Sequence, residues 1–90
     1  NDYSCFGFMK AAIESGYKIP DDFIIAGYDN LSFCETFTPE LTSIATDFHE
    51  LGKKSIRTIE NMVADNSDSY GNISMIPVKI KIRTSSQRRR

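Results

Sequence analysis

Between Tyr3 and Ser15 apolar residues recur at helical spacing. Cys5, Phe6, Phe8, Met9, Ala12 and Ile13 fill one arc, and Ser4, Lys10, Glu14 and Ser15 lie outside it. At about 100° per residue the arc spans roughly 160°, wide for a lone surface helix, so the helix is expected to pack on a sheet and touch something else at its margin. Asp2 reads as its N-cap and Gly16 as the C′ residue that stops it, with Pro20 just beyond. Pro20-Asp21-Asp22 reads as a loop. The unbroken apolar run Phe23–Ala26 reads as a strand buried on both faces of a parallel sheet. Residues 29–36 are expected to form a short helical turn, broken at Thr38-Pro39. Leu41 to Ala45 then alternates as a second strand.

The longest helix opens at Thr46-Asp47-Phe48-His49-Glu50. Asp47 can cap it while Glu50, three residues on, reaches back as in a capping box. Phe48, Leu51, Ile56, Ile59, Met62 and Val63 then form an amphipathic stripe. Asn61, Asp65, Asn66 and Asp68 make the end of the helix polar, and Ser67–Asn72 reads as loop. Ile73–Ile76 and Val78–Ile82, separated by Pro77, read as strands. In the latter Val78, Ile80 and Ile82 share one face, and Lys79, Lys81 and Arg83 the other, wet one. Helices alternate with strands through short connections, an α/β pattern with crossovers and hence a mainly parallel sheet. In such sheets ligands bind at the carboxyl ends of strands. Gly27-Tyr28-Asp29-Asn30 and Thr46 both stand at such ends.

Ninety residues make at most one small domain, and 40% apolar with 11% aromatic residues place the chain in the globular class. The stability of so short a chain on its own is expected to be marginal, and it is expected to be a portion of something longer. The formal net charge of −1 demands no nucleic acid or acidic partner. Arg88-Arg89-Arg90 form the only basic cluster; without interleaved aromatics it reads as a solvated tail, and its removal leaves the rest at about −4. Cys5 and Cys34 have neither zinc spacing nor the density of a disulfide scaffold, and each reads as a small buried hydrophobe, in keeping with a reducing cytoplasm. No apolar run reaches membrane-spanning length, so no membrane partner is expected. No phosphate-cradling glycine loop, metal spacing or nucleophile elbow is present, so neither an enzyme nor a cofactor is expected.

Six phrases, in order, resemble the LacI/GalR family of transcriptional regulators. Asn1-Asp2 before a helix is similar to that family's N-D start. "ESGYKIPDD" resembles its E-x-G-x-x-[IV]-P-x-D linker, and "IIAGYDN" its apolar strand ending in G-[FY]-D. "FTPELTSI" is similar to T-P-P-L-T-[TS]-[IV], with Glu40 in place of the second proline. "ELGKKSI" resembles the E-L-G helix and "IRTSS" the closing R-x-S strand. The resemblance runs from Asn1 to about Ser86. It implies the C-terminal part of a periplasmic-binding-protein-like sensing domain, built of two α/β lobes with an effector in the cleft. Residues 1–44 and about 73–86 would belong to the C-terminal lobe, and the helix over about 47–70 to the other. The chain would cross between lobes near Thr46 and again near residues 70–72. Operator DNA would be contacted through an N-terminal head outside these residues.

The same resemblance implies site residues. Asn1 matches a cleft position, where an amide suits the hydroxyls of a sugar or nucleoside; otherwise it serves only the start of the helix. Asp29 matches the cleft carboxylate, able to accept from two hydroxyls at once, although Asp-Asn is also ordinary turn chemistry. Thr46 matches a polar position at the lobe crossing, as a direct, water-mediated or hinge residue. Asp2 reads as a structural cap, and the lone His49 as a first-turn surface residue without catalytic company. Phe6, Lys10 and Phe37 fall on the family's homodimer contact, with plain core as the other reading of both phenylalanines. The function implied is allosteric control of operator binding by a small polar effector, such as a sugar or sugar derivative. The rival is a periplasmic or surface solute-binding protein for a sugar transporter, which shares the fold without a DNA role.

Overall fold

The computed structural model of the protein describes residues 1–65 and 74–88. The expected loop at Ser67–Asn72, the second lobe crossing near residues 70–72, the strand start at Ile73, and Arg89 and Arg90 lie outside the described residues. Two compact units divide the chain, one of Asn1–Thr46 and Val78–Arg90, the other of Asp47–Pro77.

In the first unit α1 spans Asp2–Glu14. Its N-cap is Asn1, not the expected Asp2: the Ser4 N–H donates to Asn1 Oδ1 at 3.0 Å. With the amide of Asn1 serving the third helical residue, the Asp2 carboxylate is free to turn inward. The other end closes at Gly16 as expected. The Tyr17 N–H donates to Ala12 O and the Gly16 N–H to Ile13 O, both at 3.0 Å, with Gly16 at φ +89°. That pair of bonds needs a left-handed residue, which glycine adopts without a Cβ clash. Met9 and Ala12 are buried and Cys5 and Phe6 half-buried, whereas Phe8 and Ile13 are exposed. The inward face is thus narrower than the apolar arc, and Asp2 belongs to it.

A three-stranded sheet has the order β1 (Ala26–Asp29), β2 (Thr42–Ala45), β3 (Lys79–Lys81). The parallel expectation holds for β1 and β2, which set Ala26 opposite Thr42 and Asp29 opposite Ala45. It fails for β3, which runs antiparallel to β2, so the sheet is mixed. The reason is local. The chain leaves β2 at Ala45 and re-enters opposite that residue at Lys79, which forces the returning strand to run the other way. No strand forms over Ser74–Ile76.

The first strand also starts later than its apolar run. Phe23 and Ile24 are exposed, the Ile25 N–H donates to Ser85 O at 3.0 Å, and the ladder begins only at Ala26. Gly27-Tyr28-Asp29 are therefore strand, and the turn follows them. Nor is β1 buried on both faces, since exposed and half-buried residues alternate along it. A 3-10 turn at Ser32–Glu35 falls within the expected helical turn. All of β3 is exposed, Ile80 included, while Arg83, expected on the wet face, has a side chain only 10% exposed.

Met9, Cys34 and Leu41 form the core of this unit, with Phe6, Ile25 and Phe37 among the residues packed on it. Truncating a fully buried leucine such as Leu41 costs about 2–5 kcal/mol. In the second unit α2 spans Phe48–Asp65. Asp47 caps it as expected, accepting from the Glu50 N–H at 3.0 Å. The reciprocal half of the capping box is missing, because the Glu50 carboxylate pairs with Lys53 at 3.4 Å instead. The stripe from Phe48 to Val63 lies exposed among the described residues. No described helix is long and apolar enough to cross a membrane.

Candidate functional site

The carboxyl end of β1 is conformationally unusual. Asp29 has φ +109° and Asn30 φ +58°, both in the left-handed region. Such residues cost about 1–3 kcal/mol each and persist only where their surroundings over-determine them. Three tethers do so here. The Asn30 N–H donates to Ser43 Oγ at 3.0 Å, the Leu31 N–H to Asp2 Oδ2 at 2.8 Å, and Arg83 Nη2 to Asn30 Oδ1 at 2.7 Å.

Two of these tethers converge on Asp2, whose side chain is fully buried. Its Oδ1 accepts from Ser43 Oγ at 2.6 Å, and its Oδ2 also accepts from Cys34 Sγ at 3.2 Å. Burial pushes the carboxyl up, but hydrogen bonds from Ser43, the Leu31 amide, Cys34 and the Tyr28 amide outweigh it and hold the group below its ordinary 3.8. The Cys34 thiol is pushed the other way, up to about 11, first by burial and then by its bond to, and the charge of, Asp2. Gly27 belongs to the same arrangement, because a Cβ there would collide with Asp2 Oδ1. A glycine inside a strand often marks such a close approach.

Arg83 braces the loop from the far end of the chain. Its Nη1 donates to Leu41 O at 2.7 Å, and Nη2 reaches Asn30 Oδ1 and, at 3.5 Å, Glu35 Oε1. Ser85, also buried, ties the strand starts together. It accepts from the Thr42 N–H at 2.9 Å and donates to Ile25 O at 2.7 Å. The sequence marks Asp2 as a cap, Ser43 as a strand residue, Arg83 as a wet-face residue and Ser85 as part of a closing motif; the structure turns Asp2 and Arg83 inward and adds these bonds to Ser43 and Ser85. Gly27, placed just past the expected strand, stands inside β1 instead, and there its missing side chain makes room for the buried carboxylate.

Asp29 and Thr46 share one edge of the sheet, since Asp29 stands opposite Ala45 and Thr46 follows it. Asp29 is half-exposed and forms no ion pair among the described residues. The Thr46 hydroxyl is buried and has no hydrogen-bond partner among them. Asn1 is exposed and occupied as the N-cap, and it lines a groove of about 400 Å³ with Ser4, Cys5, Phe8 and Ile24–Ala26 that neither Asp29 nor Thr46 reaches. Phe6 and Phe37 are half-buried with ring centroids 5.0 Å apart, and the exposed Lys10 lies one helical turn from Phe6. Phe33 joins this cluster, 4.3 Å from Phe6, and Tyr3 lies 5.1 Å from Phe33. No cluster of metal-ligating side chains occurs among the described residues.

A small α/β sheet with polar groups held at the carboxyl end of parallel strands is the arrangement of a ligand-binding domain. Residues 1–86 match the periplasmic binding protein-like domain, and the chain belongs to that family. Among curated relatives it is similar to the NTD biosynthesis operon regulator NtdR of Bacillus subtilis, 33% identical over 96% of this chain and 26% of the relative. Two solved structures of LacI family transcriptional regulators with bound ribose are similar as well. That from Enterococcus faecium is 34% identical with a TM-score of 0.80, and that from Enterococcus faecalis 32% identical with a TM-score of 0.84. Each match covers 96% of this chain and 32% of the solved one, so the chain spans about a third or less of the proteins it resembles.

Proposed function

We propose that the chain is part of the sensing domain of a LacI-type transcriptional regulator, and that it binds a sugar, with ribose the first candidate. The observation that carries this reading is Asp29, a carboxylate without an ion pair among the described residues, in a tethered left-handed conformation at the carboxyl end of β1. A carboxylate there accepts from two neighbouring sugar hydroxyls, and the Thr46 hydroxyl, without a partner among the described residues, supplies a further polar contact. Asn1 contributes from the start of α1, where its amide NH2 stays available while Oδ1 caps the helix. The ribose bound by two regulators of similar fold supports the ligand class. That both are transcriptional regulators favours a cytoplasmic DNA-binding protein over a transporter's solute-binding protein, and over an enzyme.

The unit of Asn1–Thr46 and Val78–Arg90 would belong to the C-terminal lobe and α2 to the other, a division that the two compact units support. Effector binding in the cleft of the two-lobed domain then shifts a conformational equilibrium felt by operator DNA, for which a coupling of about 1–3 kcal/mol suffices. The acting species is a homodimer, joined across the aromatic cluster of Phe6 and Phe37 with Lys10 beside it. A thermal-shift series of pentoses and hexoses on the full-length protein tests the ligand class. A true effector at a hundredfold its Kd adds about 2.7 kcal/mol of stability. If no sugar shifts the melting point, the sugar reading fails.

A further inference from the structure

We infer that Asp2 and Ser43 are positioning residues of the binding site: the buried Asp2–Ser43 pair holds residues 29–31 in the left-handed turn that presents Asp29 at the sheet edge. The inference rests on Asp29 as a sugar contact and goes beyond it, since neither residue of the pair touches a ligand in this reading.

The turn carries its own need for such a device. Two consecutive non-glycine residues with positive φ do not stay left-handed by local preference alone, for their Cβ atoms oppose it. Asp29 is followed by two amides, and both are consumed by the pair. The Asn30 N–H ends on Ser43 Oγ, and the Leu31 N–H on Asp2 Oδ2. The Ser43 hydroxyl, having accepted from Asn30, spends its single proton on Asp2 Oδ1. The chain of donors therefore has one direction, Asn30 to Ser43 to Asp2, and it terminates on a group that only accepts. Asp2 is the first residue of α1, so the same carboxylate fastens the start of that helix, and Asn1 with it, to the loop that carries Asp29. Two proposed contacts are in this way held in one register by a single buried side chain. Gly27 provides the space, because any side chain there would displace the carboxylate.

A purely structural role predicts lost stability alone, whereas a positioning role predicts lost affinity that vanishes once Asp29 is gone. Asp2→Ala on the full-length protein is the direct variant. Ser43→Ala, which removes one oxygen and leaves the core volume nearly unchanged, is the milder one should the first not fold. Titrating ribose by calorimetry, Ser43→Ala is expected to weaken binding about tenfold, the scale of one hydrogen bond to a charged group. On an Asp29→Ala background the same change should leave affinity unaltered while still lowering the melting point. An equal loss on both backgrounds, or no loss on either, overturns the positioning role. Unchanged affinity in Asp29→Ala by itself overturns the reading of the site, which is a separate failure. Amide exchange of the ligand-free protein gives a second readout. The Asn30 and Leu31 amides should exchange at least tenfold faster in Ser43→Ala, with Met9 in α1 little affected; a uniform acceleration counts against the inference.

Discussion

The hydroxyl of Ser43 donates a 2.6 Å hydrogen bond to the carboxylate of Asp2, 41 residues earlier in the chain. That contact joins the first turn of α1 to the middle strand of the sheet, and Gly27 of β1 lies against it. An Asp at the start of a helix commonly faces water and favours the helix dipole. Here it faces inward, and the surrounding donors keep it ionised.

Gly27→Ala tests how tightly this region is packed. The new Cβ would collide with Asp2 Oδ1 and lie 3.1 Å from Leu41 Cδ2. Neither neighbour has room to yield, since both residues are fully buried. The expected cost is about 1–3 kcal/mol in urea unfolding, the range of overpacked cores. A loss of less than about 0.5 kcal/mol, ordinary for surface sites, would mean the carboxylate is not fixed there.

Acid should remove the contribution of Asp2. Its pKa in the folded protein lies below the ordinary 3.8, so the stabilisation is fully present above that value and is lost as pH falls through the lower, folded one. Asp2→Asn lacks that titration. The stability gap between the two proteins should therefore stay constant from neutral pH down to about pH 5 and narrow below pH 4, measured by urea midpoints at each pH. A gap that does not change across the range would show that Asp2 does not titrate differently on folding.

Arg83→Lys should behave as a damaging change although the charge is kept. Two nitrogens of one planar group reach Leu41 O and Asn30 Oδ1, each at 2.7 Å. A lysine ammonium cannot reproduce that fork, and a loss of about 1–3 kcal/mol is expected. Full stability in the lysine variant would reduce Arg83 to a point charge.

Phe37→Glu addresses the proposed dimer. Phe37 is half-buried against Phe6, in an aromatic cluster that reaches the exposed Tyr3. Light scattering should find monomers, and the melting point should fall as well, because Phe37 also packs on the core of the unit. A dimer that persists would return Phe37 to the core of a single subunit.

What the sequence discloses follows the range of the interactions. The Gly16 stop and the Asp47 cap depend on bonds within one helical turn, and both occur where local rules place them. The position of β1 does not. Phe23 and Ile24 are as apolar as a buried strand, yet the ladder is set by Thr42 opposite Ala26, a partner that local pattern does not specify. The direction of β3 is likewise fixed by where the chain re-enters, at Lys79 opposite Ala45. Asp29 and Thr46 are proposed as contacts because strand ends are where α/β sheets bind, together with the G-[FY]-D resemblance. Ser43 lies in a strand as expected, but its bond to Asp2, the inward turn of Asp2 and the burial of Arg83 do not show in the sequence, because each acts through a residue about thirty to fifty positions away, and a polar residue's distant partner leaves no periodic mark.

The most direct test of the sensing role is a calorimetric titration of ribose into the full-length protein and its Asp29→Ala variant, with melting points measured alongside. Saturable binding is expected in the first, and at least a tenfold weaker Kd in the second at a nearly unchanged melting point, the loss expected when a charged hydrogen-bond acceptor leaves a ligand. Equal affinity in the two proteins would contradict the site, and no binding in either would contradict ribose as the ligand.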